Sequence, residues 1–170
     1  MKWLDRKFTL DLPAGWFPAV VERLRGTPAR LEERVRGVSD SNLTRSEGGK
    51  WSIKEHIGHL AAVERLWEVR HDEFLTGKET LFDPWKQPKQ TAKPDFNAMP
   101  LDDLLARFRQ VREHFVGRLE ALTEADIERT ALHQRLNQPM RLIDSCYFAA
   151  EHDDHHLARI AELIRRRSAH

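Results

Sequence analysis

Four stretches of the chain repeat apolar residues every three or four positions, which is the spacing of an amphipathic helix. They cover residues 16–38, 53–77, 101–122 and 139–167 of the 170-residue chain. No segment alternates apolar and polar residues convincingly enough to predict a central strand. Because each helix must bury its apolar side against a neighbour, four such helices predict an all-α fold, a four-helix bundle.

Local signals indicate where these helices begin and break. Residues 26–28, Gly-Thr-Pro, interrupt the first stretch and predict either a kink or two consecutive helices, with Thr27 as the N-cap of the second part. Ser52 and Glu55 have the spacing of a capping box, in which each side chain bonds the backbone N–H of the other residue. The second bundle helix is therefore expected to begin immediately after Ser52.

A long connection separates the second and third helices. Residues 83–100 are rich in proline, which excludes a regular helix and suits a lid or docking loop. Residues 1–15 form an N-terminal arm, and the length of the chain suits a single domain over residues 1–170. The prolines of the connection are Pro84, Pro88, Pro94 and Pro100.

The charge balance excludes some classes of partner. The chain has 28 basic and 27 acidic residues, so its net charge of +1 offers little attraction for nucleic acid or an anionic membrane, and neither is expected as a partner. No apolar run approaches the roughly 20 residues of a membrane span. The single cysteine, Cys146, excludes an intramolecular disulfide and indicates a reducing compartment, so we expect a cytoplasmic protein.

The histidines are unevenly distributed. Five of the nine lie within residues 50–67 and 149–160. His152 and His156 are four residues apart, so a helix places both imidazoles on one side, whereas His155 points away. Imidazole is the commonest side-chain ligand for divalent transition metals. Taken alone, the pair fits surface or hydrogen-bonded histidines equally well.

The other histidine segment can complete a metal site, because a catalytic site typically uses three protein ligands and leaves one position open. Either His56 or His59 can supply the third ligand. His56 lies where it can pack against Trp51 as a hydrophobic staple, whereas His59 lies one turn beyond Glu55 on a stripe with Val63. This comparison favours His59 without excluding His56.

Two motifs stand in these segments: W-S-x-x-E-x-x-x-H-L at Trp51, Ser52, Glu55, His59 and Leu60, and H-x-x-H-H-x-x-x-I at His152, His155, His156 and Ile160. Together with RLRGTPARLEERV at residues 23–35, they resemble the DinB/YfiT-like superfamily. The resemblance implies a four-helix bundle that binds a divalent metal through three histidines, here His59, His152 and His156. Many relatives have glutamine or histidine three residues after the last ligand, where this chain has Arg159.

The resemblance also implies metal-dependent transfer chemistry, in which a low-molecular-weight thiol attacks a small-molecule electrophile. Zinc is the expected metal for three nitrogen ligands, and nickel or iron would accept the same set. The alternatives are a metal-dependent hydrolase of an amide or ester, and a stress protein that binds metal or ligand without turnover. No catalytic residue is assigned, although conceivable bases are Glu55, Glu64, Glu151 and Asp153.

Apolar side chains outside the predicted bundle bear on assembly. Trp3 and Phe8 lie in the arm, and Phe82 and Trp85 lie beside the connection, so all four need cover. Relatives in the superfamily often form homodimers, which implies a dimer here. Folding of these residues back over the chain's own bundle is the alternative.

Metal binding requires neutral imidazole, so metal affinity is expected to fall steeply below about pH 6, near the pKa of an ordinary histidine. His133 and His170 lie outside both motif segments. Their substitution is therefore expected to leave this pH transition unchanged.

Overall fold

The computed structural model describes residues 2–46, 48–87 and 94–168, the last two of them by backbone alone; Pro88 and His170 lie outside this range. Helices dominate the fold, and one pair of short strands precedes the last helix. The elements are α1 Phe17–Arg25, α2 Thr27–Val35, α3 Asp40–Thr44, α4 Ile53–Leu75, α5 Leu101–Glu120, α6 Glu124–Ile127, β1 Thr130–His133, β2 Gln138–Arg141 and α7 Leu142–Ser168.

The predicted four-helix bundle is confirmed. The consecutive helices α1 and α2 form its first member, and α4, α5 and α7 supply the other three. Helix α4 packs against α5 and α7, and α1 packs against the same two helices. Because α4 ends at Leu75 and α5 begins at Leu101, the expected long connection lies between the second and third members. Within the ranges described, no helix is both long and apolar enough to cross a membrane.

The first member of the bundle is broken at Gly26, where α1 and α2 meet as two consecutive helices. Pro28 has no backbone N–H, so the helical hydrogen-bond ladder is interrupted there. Thr27 is not the N-cap that the sequence predicts, since Gly26 holds that position. The Thr27 hydroxyl instead donates to the Asp153 carboxylate at 3.0 Å. Thr27 therefore joins α2 to α7.

A β-hairpin precedes α7, and the sequence does not predict it. Strand β1 pairs antiparallel with β2, and Asn137, at a φ of 50°, turns the chain between them. The apolar spacing predicts the last helix from residue 139, but α7 begins at Leu142. Each strand has four residues, which is too short for alternation to stand out, and Pro139 disfavours a central strand. The short strands therefore escape a pattern-based prediction.

A buried ionic cluster lies between two apolar clusters of the core. Arg112 on α5 donates to Glu64 on α4 at 2.5 Å and to Asp153 on α7 at 2.6 Å. Arg112, Glu64, Asp153 and Thr27 are together named the ionic layer. In each of the four members of the bundle the layer lies between apolar residues of both clusters: Leu24, Trp67, Phe115 and Ala150 on one side, and Leu31, Leu60, Phe108 and Ile160 on the other.

The N-terminal arm folds back over the bundle. Trp3 and Phe8 both pack on Phe148 of α7, with ring centroids 5.0 and 4.8 Å away. Trp3 and Phe8 are thus covered by the chain's own bundle, as in the alternative to a dimer given above. Trp85, within the connection, remains 71% exposed.

Candidate metal centre

The first turn of α4 is fixed by the predicted capping box. Ser52 Oγ accepts a hydrogen bond from the Glu55 N–H at 3.1 Å, and Glu55 Oε2 accepts one from the Ser52 N–H at 2.7 Å. Because the box fixes where the helix begins, it also sets the direction of the side chains that follow. His56 and His59 lie in the first two turns, and both contact α7.

Three histidine nitrogens converge between α4 and α7. His59 Nε2 and His156 Nε2 each lie 3.2 Å from His152 Nε2, and ligand atoms of all three residues lie within 4.8 Å of one another. Metal–nitrogen bonds of about 2.0–2.1 Å at tetrahedral angles place ligand atoms roughly 3.4 Å apart. The spacing therefore fits a metal ion held by three imidazoles. These residues are named the histidine triad.

The triad is neutral at physiological pH. Burial lowers the pKa of His59 to about 4. Burial, with a smaller contribution from neighbouring histidines, lowers the pKa values of His152 and His156 well below the ordinary value. A metal binds the neutral imidazole, so the triad already has the protonation state that coordination requires.

Hydrogen bonding between the rings cannot satisfy the triad. An imidazole nitrogen carries either a proton or a lone pair in the ring plane, so it can either donate or accept. His152 Nε2 faces two other Nε2 atoms at once, which means that only one of these two contacts can be a hydrogen bond. A cation bound by all three Nε2 lone pairs removes this conflict. The donor set and its geometry therefore fit a metal.

The two other histidines of the motif segments lie outside the triad. His155 is turned toward Trp3, with ring centroids 5.7 Å apart. His56 Nδ1 lies 2.8 Å from His156 Nδ1, the ring nitrogen of His156 that does not face the triad. The structure thus brings together the three histidines that the sequence and the family resemblance select, and it places His56 beside them.

A family model described as the DinB superfamily matches residues 23–160, which include both histidine segments. The chain belongs to the DinB superfamily. The resemblance seen in the motifs is therefore confirmed over most of the chain.

Proteins similar to this chain carry names that refer to metal. A protein of Geobacillus thermodenitrificans named "Putative metal-dependent hydrolase" is 25% identical over 148 residues, which cover 86% of this chain and 83% of the relative. A protein of Bacillus subtilis named "Putative metal-dependent hydrolase YfiT" is 24% identical over 147 residues, with the same two coverages, 86% and 83%. Metal dependence is thus part of the names of both relatives.

The solved structure of YfiT from Bacillus subtilis is described as an unusual four-helix bundle topology. It is similar to the present fold with a TM-score of 0.79, at 22% sequence identity, over 96% of this chain and 94% of that chain. At this identity the likeness concerns the fold, and it agrees with the bundle described above.

Arg159 lies three residues after His156, where the family resemblance leads us to expect glutamine or histidine. Its guanidinium forms an ion pair with Glu162, one turn further along α7, and its side chain is 36% exposed. The positive charge is therefore compensated by a neighbouring carboxylate. This pairing is compatible with a cation at the triad of this DinB protein.

The four carboxylates considered as catalytic bases are all engaged elsewhere in the bundle. Glu55 closes the capping box, and Glu64 and Asp153 bind Arg112 in the ionic layer. Glu151 accepts hydrogen bonds from two arginines at 2.5 and 2.6 Å. None of these four carboxylates is available as a base at the triad.

Three tryptophans pack against the triad, and one of them, the buried Trp67, lies edge-on to His152 at 5.7 Å. Trp51 lies 4.8 Å from His59 and almost parallel to the ring of His156, at 5.9 Å and 18°. Trp3 lies edge-on to His152 at 5.1 Å. Trp51 is 41% exposed, so the triad approaches solvent on its side. The sequence offers folding of Trp3 back over the bundle as an alternative, but no pattern in the arm indicates that Trp3 reaches the triad.

Proposed function

We propose that the protein is a metal-dependent hydrolase in which His59, His152 and His156 hold a divalent transition metal. The observation that carries the proposal is the convergence of three neutral Nε2 atoms, with 3.2 Å between His152 and each of the other two. The names of the DinB relatives support the same reaction class. Zinc is the first choice for three nitrogen ligands, and nickel or iron would fit the same donors.

A divalent ion held there supplies Lewis acidity, which polarises a carbonyl and lowers the pKa of coordinated water to about 7. The chain contributes the environment. Three neutral ligands leave the charge of the ion uncompensated. Trp3, Trp51 and Trp67 pack against the triad, which lowers the local dielectric constant and strengthens electrostatic interactions there. The exposed side at Trp51 is the expected approach for a small amide or ester.

Transfer of a low-molecular-weight thiol, the first expectation from the sequence, becomes the second candidate because both relatives are named as hydrolases. One observation favours it. The carboxylates Glu55, Glu64, Glu151 and Asp153 are engaged and cannot deprotonate an attacking water. A thiol is far more acidic than water and needs less help from a base. A metal at the triad would stabilise its thiolate.

Two measurements test these proposals. Elemental analysis of protein purified without an affinity tag should find one divalent transition metal per chain. A panel of esters and amides is then assayed with and without added thiols. Hydrolysis that needs metal but no thiol supports the hydrolase, and thiol-dependent conjugation supports the transferase. Stoichiometric metal with neither hydrolysis nor thiol-dependent conjugation would contradict both enzymatic proposals. The remaining interpretation would then be a protein that binds metal or ligand without turnover.

We also propose a homodimer that covers Trp85, since this side chain is 71% exposed. Light scattering at high micromolar concentration should give twice the mass of the chain, and Trp85→Ser should shift the equilibrium toward the monomer. A wild-type monomer at that concentration would contradict the dimer.

A further inference from the structure

His56 is a buried histidine to which the proposed function gives no role. It is 8% exposed, and its Nδ1 lies 2.8 Å from the Nδ1 of His156. Position 56 is an unspecified position of the W-S-x-x-E-x-x-x-H-L motif, so the motif assigns it nothing. We propose that His56 is a positioning residue that accepts a hydrogen bond from His156 and thereby holds the His156 Nε2 lone pair toward the metal. This inference rests on the proposed function.

The direction of the hydrogen bond follows from the chemistry of a ligand. A coordinating nitrogen must present a lone pair, so a neutral His156 that binds through Nε2 carries its proton on Nδ1. The His156 Nδ1–H then donates to His56 Nδ1, which must be unprotonated. A neutral His56 therefore carries its own proton on Nε2. The 2.8 Å contact thus fixes the tautomers of both rings once a metal is bound.

The start of α4 fixes the orientation of His56. The backbone N–H of His56 donates to the Ser52 carbonyl at 3.2 Å, directly after the capping box of Ser52 and Glu55. The Trp51 ring, just before the N-cap, packs edge-on against the His56 ring at 5.4 Å. This is the arrangement of a hydrophobic staple. The helix start therefore places the acceptor before any metal binds.

The partner of His156 is an unusual one for a metal ligand. A metal-bound histidine commonly donates its second N–H to a carboxylate, a backbone carbonyl or water. Here a neutral imidazole takes that place, and the nearby carboxylates Glu55 and Asp153 have other partners. A neutral acceptor orients the ligand without adding negative charge near the ion. His56 should therefore support metal affinity while leaving the ion strongly electrophilic.

Two variants of similar shape distinguish the hydrogen-bond acceptor at position 56 from the volume of the side chain. His56→Asn can keep an acceptor near the position of Nδ1, whereas His56→Leu has no polar side-chain atom. Zinc affinity is measured near neutral pH by competition with a chromophoric chelator. His56→Leu should bind zinc roughly 10- to 100-fold more weakly than wild type, as is typical when a partner of a metal ligand is lost. His56→Asn should recover most of that loss. Equal weakening in both variants, or no weakening in His56→Leu, would overturn the proposal.

The tautomers provide a readout on the wild-type protein. Proton–nitrogen correlation spectra of the zinc-loaded protein should find His156 protonated at Nδ1 and His56 protonated at Nε2. A His56 protonated at Nδ1 would overturn the proposal whatever the variants do. Wild-type protein that binds no zinc overturns the proposed function together with this inference. Tight zinc binding by both wild type and His56→Leu overturns this inference alone.

Discussion

The ionic layer and the histidine triad are two buried polar clusters that share α4 and α7. In the ionic layer, Arg112 binds Glu64 and Asp153, and the three side chains are at most 1% exposed. In the triad, three neutral nitrogens face one another, and only one of the two short contacts can be a hydrogen bond. His152 and Asp153 are adjacent in the chain, yet each belongs to a different cluster.

The difference between the clusters indicates what each can do. Buried charges are costly unless they are paired, so the ionic layer is closed to further ligands and its integrity matters for folding. Neutral imidazoles keep their lone pairs after burial, so the triad remains open to a cation. Substitutions in the ionic layer should therefore change stability, and substitutions in the triad should change metal binding.

The largest effect is expected from the triad. Replacing His59, His152 or His156 with alanine should abolish stoichiometric metal binding, because two imidazoles hold the ion much more weakly than three. Helical content should be preserved. Metal content by elemental analysis and helicity by circular dichroism check both statements.

His155→Ala is the matched control, since His155 lies one residue from His156 but turns toward Trp3. It should retain its metal. Full metal content in all three triad variants would show that the triad does not bind the metal. The triad and the ionic layer would then no longer differ in what they do.

The next largest effect is expected from the ionic layer. Arg112→Met leaves Glu64 and Asp153 as buried carboxylates without their cation, and should lower the free energy of unfolding by about 3–5 kcal/mol. Urea unfolding measures this change. Arg65→Met is the control, because Arg65 is 77% exposed and its pair with Glu68 should contribute at most about 1 kcal/mol. Equal effects of the two substitutions would show that the ionic layer does not stabilise the fold.

Acid should act through the buried histidines. The pKa of His59 falls from 6.5 in an ordinary environment to about 4 in the fold. As the pH falls through 6.5 the unfolded chain binds protons before the folded one, so the metal-free protein should lose stability between pH 6.5 and about 4. Each such histidine contributes about 1.4 kcal/mol per pH unit in this window. Unfolding measured across this range should therefore show a declining free energy, and bound zinc should oppose the decline.

The structure also revises the pH behaviour expected from the sequence. While the bundle stays folded, the lowered pKa of His59 keeps that ligand neutral below pH 6, down to about 4. His133 is unsuited as a control for stability, because burial lowers its pKa to about 4 as well. His114, whose side chain is 66% exposed, is the better control, and His114→Gln should leave the transition in place. Equal stability of the metal-free protein at pH 6.5 and at about pH 4 would contradict the claim that the triad is buried in its neutral form.

The smallest effect is expected at the edge of the triad. A Cβ atom at Gly58, next to His59, would lie 2.2 Å from the Phe96 ring of the connection. Gly58→Ala should therefore displace Phe96 and lower the free energy of unfolding by about 1–3 kcal/mol. Gly117→Ala, where no atom lies within 4 Å of the new Cβ, should raise it by up to about 1 kcal/mol. Opposite signs in urea unfolding are the expected result, and stabilisation by both would contradict the close packing of the connection.

Local signals in the sequence account for much of the fold and for the choice of ligands. Apolar spacing predicts the bundle helices, and the capping box predicts the start of α4. The spacing of His152 and His156 places them on one side of α7, and the structure brings His59 to them. These features depend on contacts within one helix or on a motif with recognisable order.

The features that sequence reasoning missed depend on contacts between distant segments. From the sequence Asp153 is a conceivable base, and only the folded bundle places Arg112 opposite it. His56 reads as a staple residue, and only the packing of α4 on α7 brings it to His156. Trp3 belongs to an arm whose path is set by Phe148 rather than by any periodic pattern. Tertiary packing decides each of these positions.

X-ray absorption at the zinc edge, on tag-free protein titrated with zinc, tests the histidine triad most directly. The expected result is one zinc per chain, with three imidazole ligands at about 2.0–2.1 Å and a fourth ligand that is a solvent oxygen. The same titration of His152→Ala should show no stoichiometric site. Zinc bound at less than one ion per chain, or without three imidazoles in its first coordination sphere, would contradict the proposal that His59, His152 and His156 form a metal centre.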